Sequence, residues 1–282
     1  MLGFTRSFMR RARNKLTEQM NINQSQHDLL IRAEWARSIS ASKNPLNGFG
    51  AKYFSQADED GITLEIVRRI GIGSGTFVEL GVGSGIENNT LVLLASGWRG
   101  FWIGDEDLDF DHTLNPRRFE FLKSRVYLEN IVPLIEQGCQ DIGIDELDLL
   151  SLDLDGNDYY FTKELLKSIS PKVLVVEYNA RFPPPVKWVL PYNENHSWDG
   201  TDYFGASLAA YCELLAEFSY RLICCNAATG ANAFFVRNEY FAEFSEVPDK
   251  IEDIFVGCRY QLPMRWGHRP SPKTIERMLE IG

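Results

Sequence analysis

Two near-continuous apolar runs of strand length, Leu147–Leu154 and Lys172–Tyr178, bracket a stretch of helical character at Tyr159–Ile169. A strand that is apolar on both faces needs cover on both, which a parallel sheet layered with helices provides. The alternation recurs upstream, with a helix expected over Glu59–Ile70, a strand over Thr76–Val82, a helix over Ile86–Ser96 and a strand over Gly100–Ile103. A helix over Asn115–Ser124 and a strand over Arg125–Leu128 follow, then a helix over Gly205–Phe218 downstream. Tyr220–Cys225 and Asn232–Arg237, joined through Ala227-Ala228-Thr229-Gly230, read as a closing antiparallel hairpin. This is the pattern of a doubly wound α/β sheet. Ligands of such sheets sit at the carboxyl ends of the strands, where the strand order reverses.

Length and charge narrow the function classes. A chain of 282 residues suits one large domain with appendages. Its 39 acidic against 29 basic residues count against general nucleic-acid binding. No apolar run of about 18 residues is present, so no membrane-spanning helix is expected. Arg6, Arg10, Arg11 and Arg13 interrupt the apolar core that a secretory signal needs. Cys139, Cys212, Cys224, Cys225 and Cys258 form no C-x-x-C pair, which suits free thiols and a cytoplasmic location.

The start of the chain stands apart. Phe4, Phe8, Ala12, Leu16 and Met20 recur four residues apart on a helix otherwise rich in arginine. Such a helix packs on its own domain or a neighbouring subunit, the reading favoured for so short a stripe. The alternative is contact with an anionic membrane surface through residues 1–20. Residues 21–50 read as polar, then helical around Leu29–Ile39, then loop.

The run Val78-Glu79-Leu80-Gly81-Val82-Gly83-Ser84-Gly85 carries the clearest chemical signal. Gly81, Gly83 and Gly85 are spaced G-x-G-x-G rather than the G-x-G-x-x-G of dinucleotide enzymes. Glu79 would repel a pyrophosphate but suit a cation, and S-adenosylmethionine brings both a sulfonium and an ammonium group. Asp105 and Glu106, roughly 20 residues further on at the end of the next strand, are placed to accept hydrogen bonds from ribose hydroxyls.

With these residues in view, the sequence resembles the class I S-adenosylmethionine-dependent methyltransferases, and more narrowly the FkbM-type group. The resemblance runs through Ser55-Gln56, Glu59–Ile62, Val78–Thr90, Trp102-Ile103, Asp148–Tyr160, Val176–Ala180, Tyr203–Leu208 and Asn232–Val236. It implies a Rossmann-like, seven-stranded, mostly parallel sheet and methyl transfer to a hydroxyl, often of a sugar or glycan precursor. It also adds Gln56 and Asn88 to the cofactor set. Residues 51–238 then form the catalytic domain, with extensions at 1–50 and 239–282. Where relatives carry W-I-E-G-D, this chain has Trp102-Ile103-Gly104-Asp105-Glu106, so Asp105 or Glu106 takes the glutamate's part. Where they carry D-x-E-G, it has Asp153-Leu154-Asp155-Gly156.

Asp153, Asp155 and Asp158 crowd within six residues, and Glu177 and Asn179 end the adjacent strand. One outcome is that Asp158 caps the following helix. Another is an Mg²⁺ site on Asp153, Glu177 and Asn179, all oxygen donors. For removal of the acceptor proton the candidates are His196 and Asp153. Phe182, Trp188, Trp198 and Tyr203, in the long loop after the fifth strand, offer aromatic faces of the kind a sugar ring packs on. Two other readings stay open: a metal-dependent glycosyltransferase built on Asp153-x-Asp155, and a binding protein that keeps the fold without chemistry. The oligomeric state is not legible in the sequence.

Overall fold

A computed structural model describes residues 2–260 and 271–281, with side chains for 13–260 and 271–280. The strands are β1 (Thr76–Leu80), β2 (Arg99–Gly104), β3 (Phe119–Lys123), β4 (Leu149–Leu152), β5 (Val173–Glu177), β6 (Tyr220–Cys225) and β7 (Asn232–Arg237). They form one mixed sheet in the order β3-β2-β1-β4-β5-β7-β6. β1 to β5 run parallel, and β7 pairs antiparallel with both β5 and β6. The order reverses between β1 and β4, which are neighbours in space and 73 residues apart by their first positions. That reversal opens a crevice at their carboxyl ends.

The helices are α1 (Leu2–Ala41), α2 (Glu59–Arg69), α3 (Leu91–Ala95), α4 (Ile131–Ile142), α5 (Asp158–Leu165), α6 (Leu208–Glu217), α7 (Ile251–Ile254) and α8 (Pro272–Ile281). The hairpin strands fall where the alternation of the sequence puts them. Other elements differ, and the reasons are local.

The stretch expected to be helical over Asn115–Ser124 is the edge strand β3 instead. Its sequence Phe-Glu-Phe-Leu-Lys alternates, and Phe119 packs edge-on against Trp102 at 4.9 Å between centroids. Arg125–Leu128, expected as a strand, is the turn into α4. Helix α4 escaped the sequence reading because Pro133 sits in it, but Pro133 lies in the first turn, where its missing N–H removes no intrahelical bond. The helix expected from Ile86 starts only at Leu91, because a buried carboxylate takes up the N–H groups of Asn89 and Thr90.

At the start of the chain, one helix spans the predicted break. Ile31 and Trp35 are buried with Ala57 and Ala228, so its second half packs on the sheet domain. Leu16, Met20, Ile22, Leu29 and Leu30 are exposed. The side chains of Phe4, Phe8 and Ala12 lie outside the described ones. Among the described residues, no helix is long and apolar enough to cross a membrane. At the other end, Ile275 and Leu279 of α8 join the main core, and Asn115 donates to the Leu279 carbonyl. His268, in the sequence-unexplained tail, lies outside the described residues.

Buried acids fasten the loops of this sheet. Asp60 is wholly buried and accepts the N–H groups of Tyr53, Phe54 and Ser55 with one oxygen. Asp58 accepts from Ala227 N, Ala228 N and Asn226 Nδ2, clamping the β6–β7 turn to the start of α2. Burial, reinforced by the charge of Glu59, raises the Asp58 pKa from 3.8 to about 7, and burial raises that of Asp60 to about 6. Between pH 4 and 7 the folded chain therefore holds protons that the unfolded chain has released, so stability falls as pH rises through this window. The urea midpoint is expected to be higher at pH 5.5 than at pH 7.5. In Asp58→Asn that difference should shrink; an unchanged pH dependence would exclude Asp58 as its source.

Candidate functional site

The carboxyl ends of β1 and β4 meet almost backbone to backbone. Asp153 N donates to the Leu80 carbonyl at 3.2 Å, and Gly81 N donates across to Ile103 at 3.0 Å. A Cβ at Gly81 would lie 1.6 Å from the Asp153 carbonyl oxygen, and its φ is +85°. No other residue fits there. The three glycines of the loop have separate reasons. At Gly85 a Cβ would press on Leu108 and Trp102 at 2.8 and 2.9 Å, which is a packing constraint. Gly83, at φ +48°, has no atom within 4 Å of the place its Cβ would take.

Glu79, 3% exposed, holds this loop to α3. It accepts Asn89 N and Thr90 N at 2.9 Å each and the Thr90 hydroxyl at 2.6 Å. Trp102 Nε1 in turn donates to Thr90 Oγ1 at 2.8 Å. Burial raises the Glu79 pKa against these donors. Asn88 donates to the Val82 carbonyl at 3.3 Å and Glu79 at 3.4 Å, and its own Oδ1 is buried without a hydrogen-bond partner among the described residues.

A cavity of about 430 Å³ opens at the strand ends, within the range of small-molecule sites. Gly81, Gly83, Asp105, Glu106, Asp153 and His196 of the sequence-selected residues line it. Glu79, Gly85, Asn88, Gln56, Glu177 and Asn179 are not in its lining. Gln56 is exposed, and its carbonyl accepts from Lys52 Nζ. The cavity wall carries Asp105, Glu106, Asp153, Asp155 and Glu194 against Arg125 and His196.

The loop after β4 is built by carboxylate–backbone bonds. Asp158 does not cap its helix by a bond to the helix's own N–H groups. It is the first residue of α5, and its carboxylate reaches back to Leu154 N at 2.6 Å and Gly156 N at 2.9 Å. This folds Asp155 into the left-handed region at φ 55°, unusual for a residue with a side chain. Strand β4 ends at Leu152, so Asp153 and Asp155 do not share a strand face as the apolar run suggested. The turn nevertheless brings them together with Glu177, carboxylate oxygens of all three lying within 4.8 Å of one another. Burial raises the pKa of Asp153 well above the usual range, and the charges of Asp155, Asp158, Glu79 and Glu59 add to it. Glu177 is raised by burial and by Asp153, Asp158 and Asp155 in turn.

Asn179 does not belong to this group. Its Nδ2 donates to the Asp202 and Phe204 carbonyls at 2.8 and 2.9 Å, and its Oδ1 accepts Arg181 N. It anchors the loop, and the carboxylates that the structure brings together are those of Asp153, Asp155 and Glu177. The sequence did not place Asp155 beside Glu177, because a strand register gives no hint of the turn that Asp158 imposes.

The long loop after β5 closes over the same side. Asn157 donates to the Asn193 carbonyl at 2.8 Å and accepts Asn193 N at 3.3 Å, pinning the loop to the site. His196 packs on Gly156, and its Nε2 lies 3.1 Å from the Asp155 carbonyl. Of the loop aromatics, Trp198 lines the cavity. Phe182 and Trp188 stack on each other at 4.5 Å, with Tyr203 edge-on to Trp188.

No family model matches the chain, and no curated protein does. Among solved structures, it is similar to cofactor-bound Rv0187 from MTB, at 14% identity and TM-score 0.38, over 74% of this chain and 89% of that one. An O-methyltransferase family protein from Burkholderia thailandensis matches at 11% identity and TM-score 0.33, over 75% and 70%. An O-methyltransferase family 2 protein from Planctomyces limnophilus, in complex with apigenin, matches at 12% and 0.29, over 58% and 51%. Superpositions this loose decide neither fold nor activity.

The glycines separate by experiment. Gly81→Ala drives a methyl group into the β4 backbone and should abolish cooperative urea unfolding. Gly83→Ala meets no neighbour and should cost only the left-handed penalty of about 1–2 kcal/mol. Equal effects at the two positions would contradict this geometry.

Proposed function

We propose that the chain is an S-adenosylmethionine-dependent O-methyltransferase of the class I, FkbM-type kind, with a doubly wound Rossmann-like catalytic domain at 51–238. Extensions at 1–50 and 239–282 flank it, and the protein works in the cytoplasm on the hydroxyl of a sugar-type small molecule or glycan. One observation carries the reading. Gly83, whose Cβ position is open, faces the same cavity as two carboxylates at the next strand's end, inside an acidic wall. A ligand that needs close backbone approach, two hydroxyl acceptors and negative surroundings is a cationic nucleoside.

When bound, S-adenosylmethionine supplies an electrophilic methyl group. Gly83 lets the backbone approach it, with Gly81 beside it in the lining, while Asp105 and Glu106, exposed and without side-chain hydrogen bonds among the described residues, are free to accept from the ribose. Glu79 acts at one remove, holding the loop; Asn88, with its orphaned Oδ1, and Gln56 complete the proposed cofactor set from outside the cavity lining.

Proton removal falls to His196 or Asp153. If Nε2–H of His196 donates to the Asp155 carbonyl, Nδ1 of the neutral ring is left as an acceptor, the form a general base needs. Burial raises the pKa of Asp153, which makes its carboxylate a stronger base than an exposed one.

Calorimetric titration with S-adenosylhomocysteine tests the cofactor reading. Wild type should bind, and Gly83→Val should not while keeping its circular dichroism spectrum. Asp105→Ala should weaken binding by about 1–3 kcal/mol, the range for a charged hydrogen bond. No binding by the wild type would remove the assignment.

On the reacting side, Asp153→Asn should bind S-adenosylhomocysteine as the wild type does and lose turnover. Full activity in that variant excludes Asp153 from the mechanism.

A further inference from the structure

Five large aromatic side chains are exposed among the described residues, and three of them, Tyr192, Trp198 and Tyr203, stand in the loop after β5. Each is fixed by a neighbour and still open to solvent. Tyr192 lies edge-on to Tyr160 at 5.3 Å between centroids. Trp198 donates from Nε1 to the Thr201 carbonyl at 2.7 Å, inside a turn that Asp199 closes by accepting Thr201 N at 2.9 Å. Tyr203 leans edge-on against Trp188, which stacks on Phe182. A ring already fixed in one rotamer loses little side-chain entropy when a ligand stacks on it. Trp198, 51% exposed, also lines the cavity, so the exposed rings begin at the site. They continue past it, because Tyr203, 55% exposed, follows after the turn of residues 199–202 and stands outside the lining.

The cavity is small for two ligands. About 430 Å³ lies low in the range that holds one small molecule, and Gly83, Asp105 and Glu106 of its wall are the proposed cofactor residues. An acceptor larger than one ring therefore finds its remaining contacts at the mouth. We propose that Trp198 and Tyr203 are stacking subsites for sugar units next to the one methylated, so that the acceptor is an oligosaccharide chain rather than a free monosaccharide. A pyranose has an apolar face of C–H groups and an edge of hydroxyls, which suits a ring flanked by polar groups. Arg181 and Asp202, paired at 3.3 Å and both exposed, supply such groups in the same loop as Tyr203. Charge narrows the class further. Asp105, Glu106, Glu194, Asp153 and Asp155 face the cavity, in a chain of net charge −10, so a glycan bearing carboxylates or sulfates is repelled and a neutral one is not. The proposal rests on the reading of the acceptor as a sugar; the fixed, exposed rings do not.

The test applies the full chain, without cofactor, to an array of neutral and acidic oligosaccharides one to six units long. The best-bound neutral hexasaccharide is then titrated by calorimetry. Neutral chains should bind more tightly as they lengthen from one unit to three, and acidic chains should not bind. Tyr203→Ala and Trp198→Ala should each weaken the hexasaccharide about tenfold, and Tyr203→Phe, which keeps the ring, should bind it as the wild type does. Both alanine variants should keep the wild-type circular dichroism spectrum and urea unfolding transition, since the side chains removed are more than half exposed. No binding of any neutral chain, affinity independent of length, preference for acidic chains, or wild-type binding by Tyr203→Ala overturns the subsites. S-adenosylhomocysteine titrated into the same preparation reports separately on the cofactor reading. Glycan binding without it removes that reading and leaves the subsites, and the reverse result removes the subsites alone.

Discussion

The contact of Gly81 with the Asp153 carbonyl sets the geometry of everything above the sheet. Two parallel strands that diverge in connection can share a crevice only if their ends do not splay, and here they are held together by a position with no room for a side chain. From that point the chain leaves β1 upward through Gly83 and leaves β4 through the tight turn of residues 153–156. The glycine loop and the acid cluster are thus two exits from one contact. A change that parted the strands by the width of a methyl group would move both.

Carboxylates do two different jobs in this molecule, and their hydrogen-bond partners tell them apart. Glu79, Asp158, Asp60 and Asp58 each collect several N–H groups and so replace the helix or strand hydrogen bonds that a loop cannot make. Those donors offset part of the cost of burial, although burial still raises the pKa of all four and Oδ1 of Asp60 has no hydrogen-bond partner among the described residues. Asp153, Asp155 and Glu177 have no comparable donors among the described residues; burial raises all three, and the charges of neighbouring carboxylates add to it at Asp153 and Glu177. Loops fastened by the first group present Asp153 and Asp155 to the cavity, and Asp158 folds the turn that brings these two together.

This division also explains what the sequence could and could not show. The buried strands β4 and β5, the hairpin and the glycine loop were legible because continuous apolar runs and glycine spacing are local signals. Strand β3 was not, because Phe119 and Phe121 suit a helix face as well as an alternating edge strand until Trp102 is known to lie beside them. Glu79 was read as a ligand for a cation, since nothing local says that Asn89 and Thr90 will turn their N–H groups on it. Asn179 was read with Asp153 and Glu177 as a metal ligand, because its hydrogen bonds to the Asp202 and Phe204 carbonyls depend on loops whose paths only tertiary structure sets, as does the reach of Asp158 that places Asp155. Residue types at the site were visible in the sequence; their allocation between scaffold and chemistry was not.

The D-x-D pattern at Asp153 and Asp155 would serve a sugar-nucleotide enzyme equally well if it stood alone, since both readings place a cation there. The rest of the cavity separates them. A nucleoside diphosphate must bring its phosphates beside the metal and find cationic or N–H partners for the remaining charge. Here the wall offers Asp105, Glu106 and Glu194 in addition to Asp153 and Asp155, with Arg125 as the one lysine or arginine of the lining among the described residues. At an effective dielectric of about 20, one uncompensated like-charge pair at 4 Å costs about 4 kcal/mol. A sulfonium-bearing nucleoside gains from the same wall what a diphosphate loses to it. The acidic surroundings, rather than the D-x-D itself, therefore favour methyl transfer over glycosyl transfer.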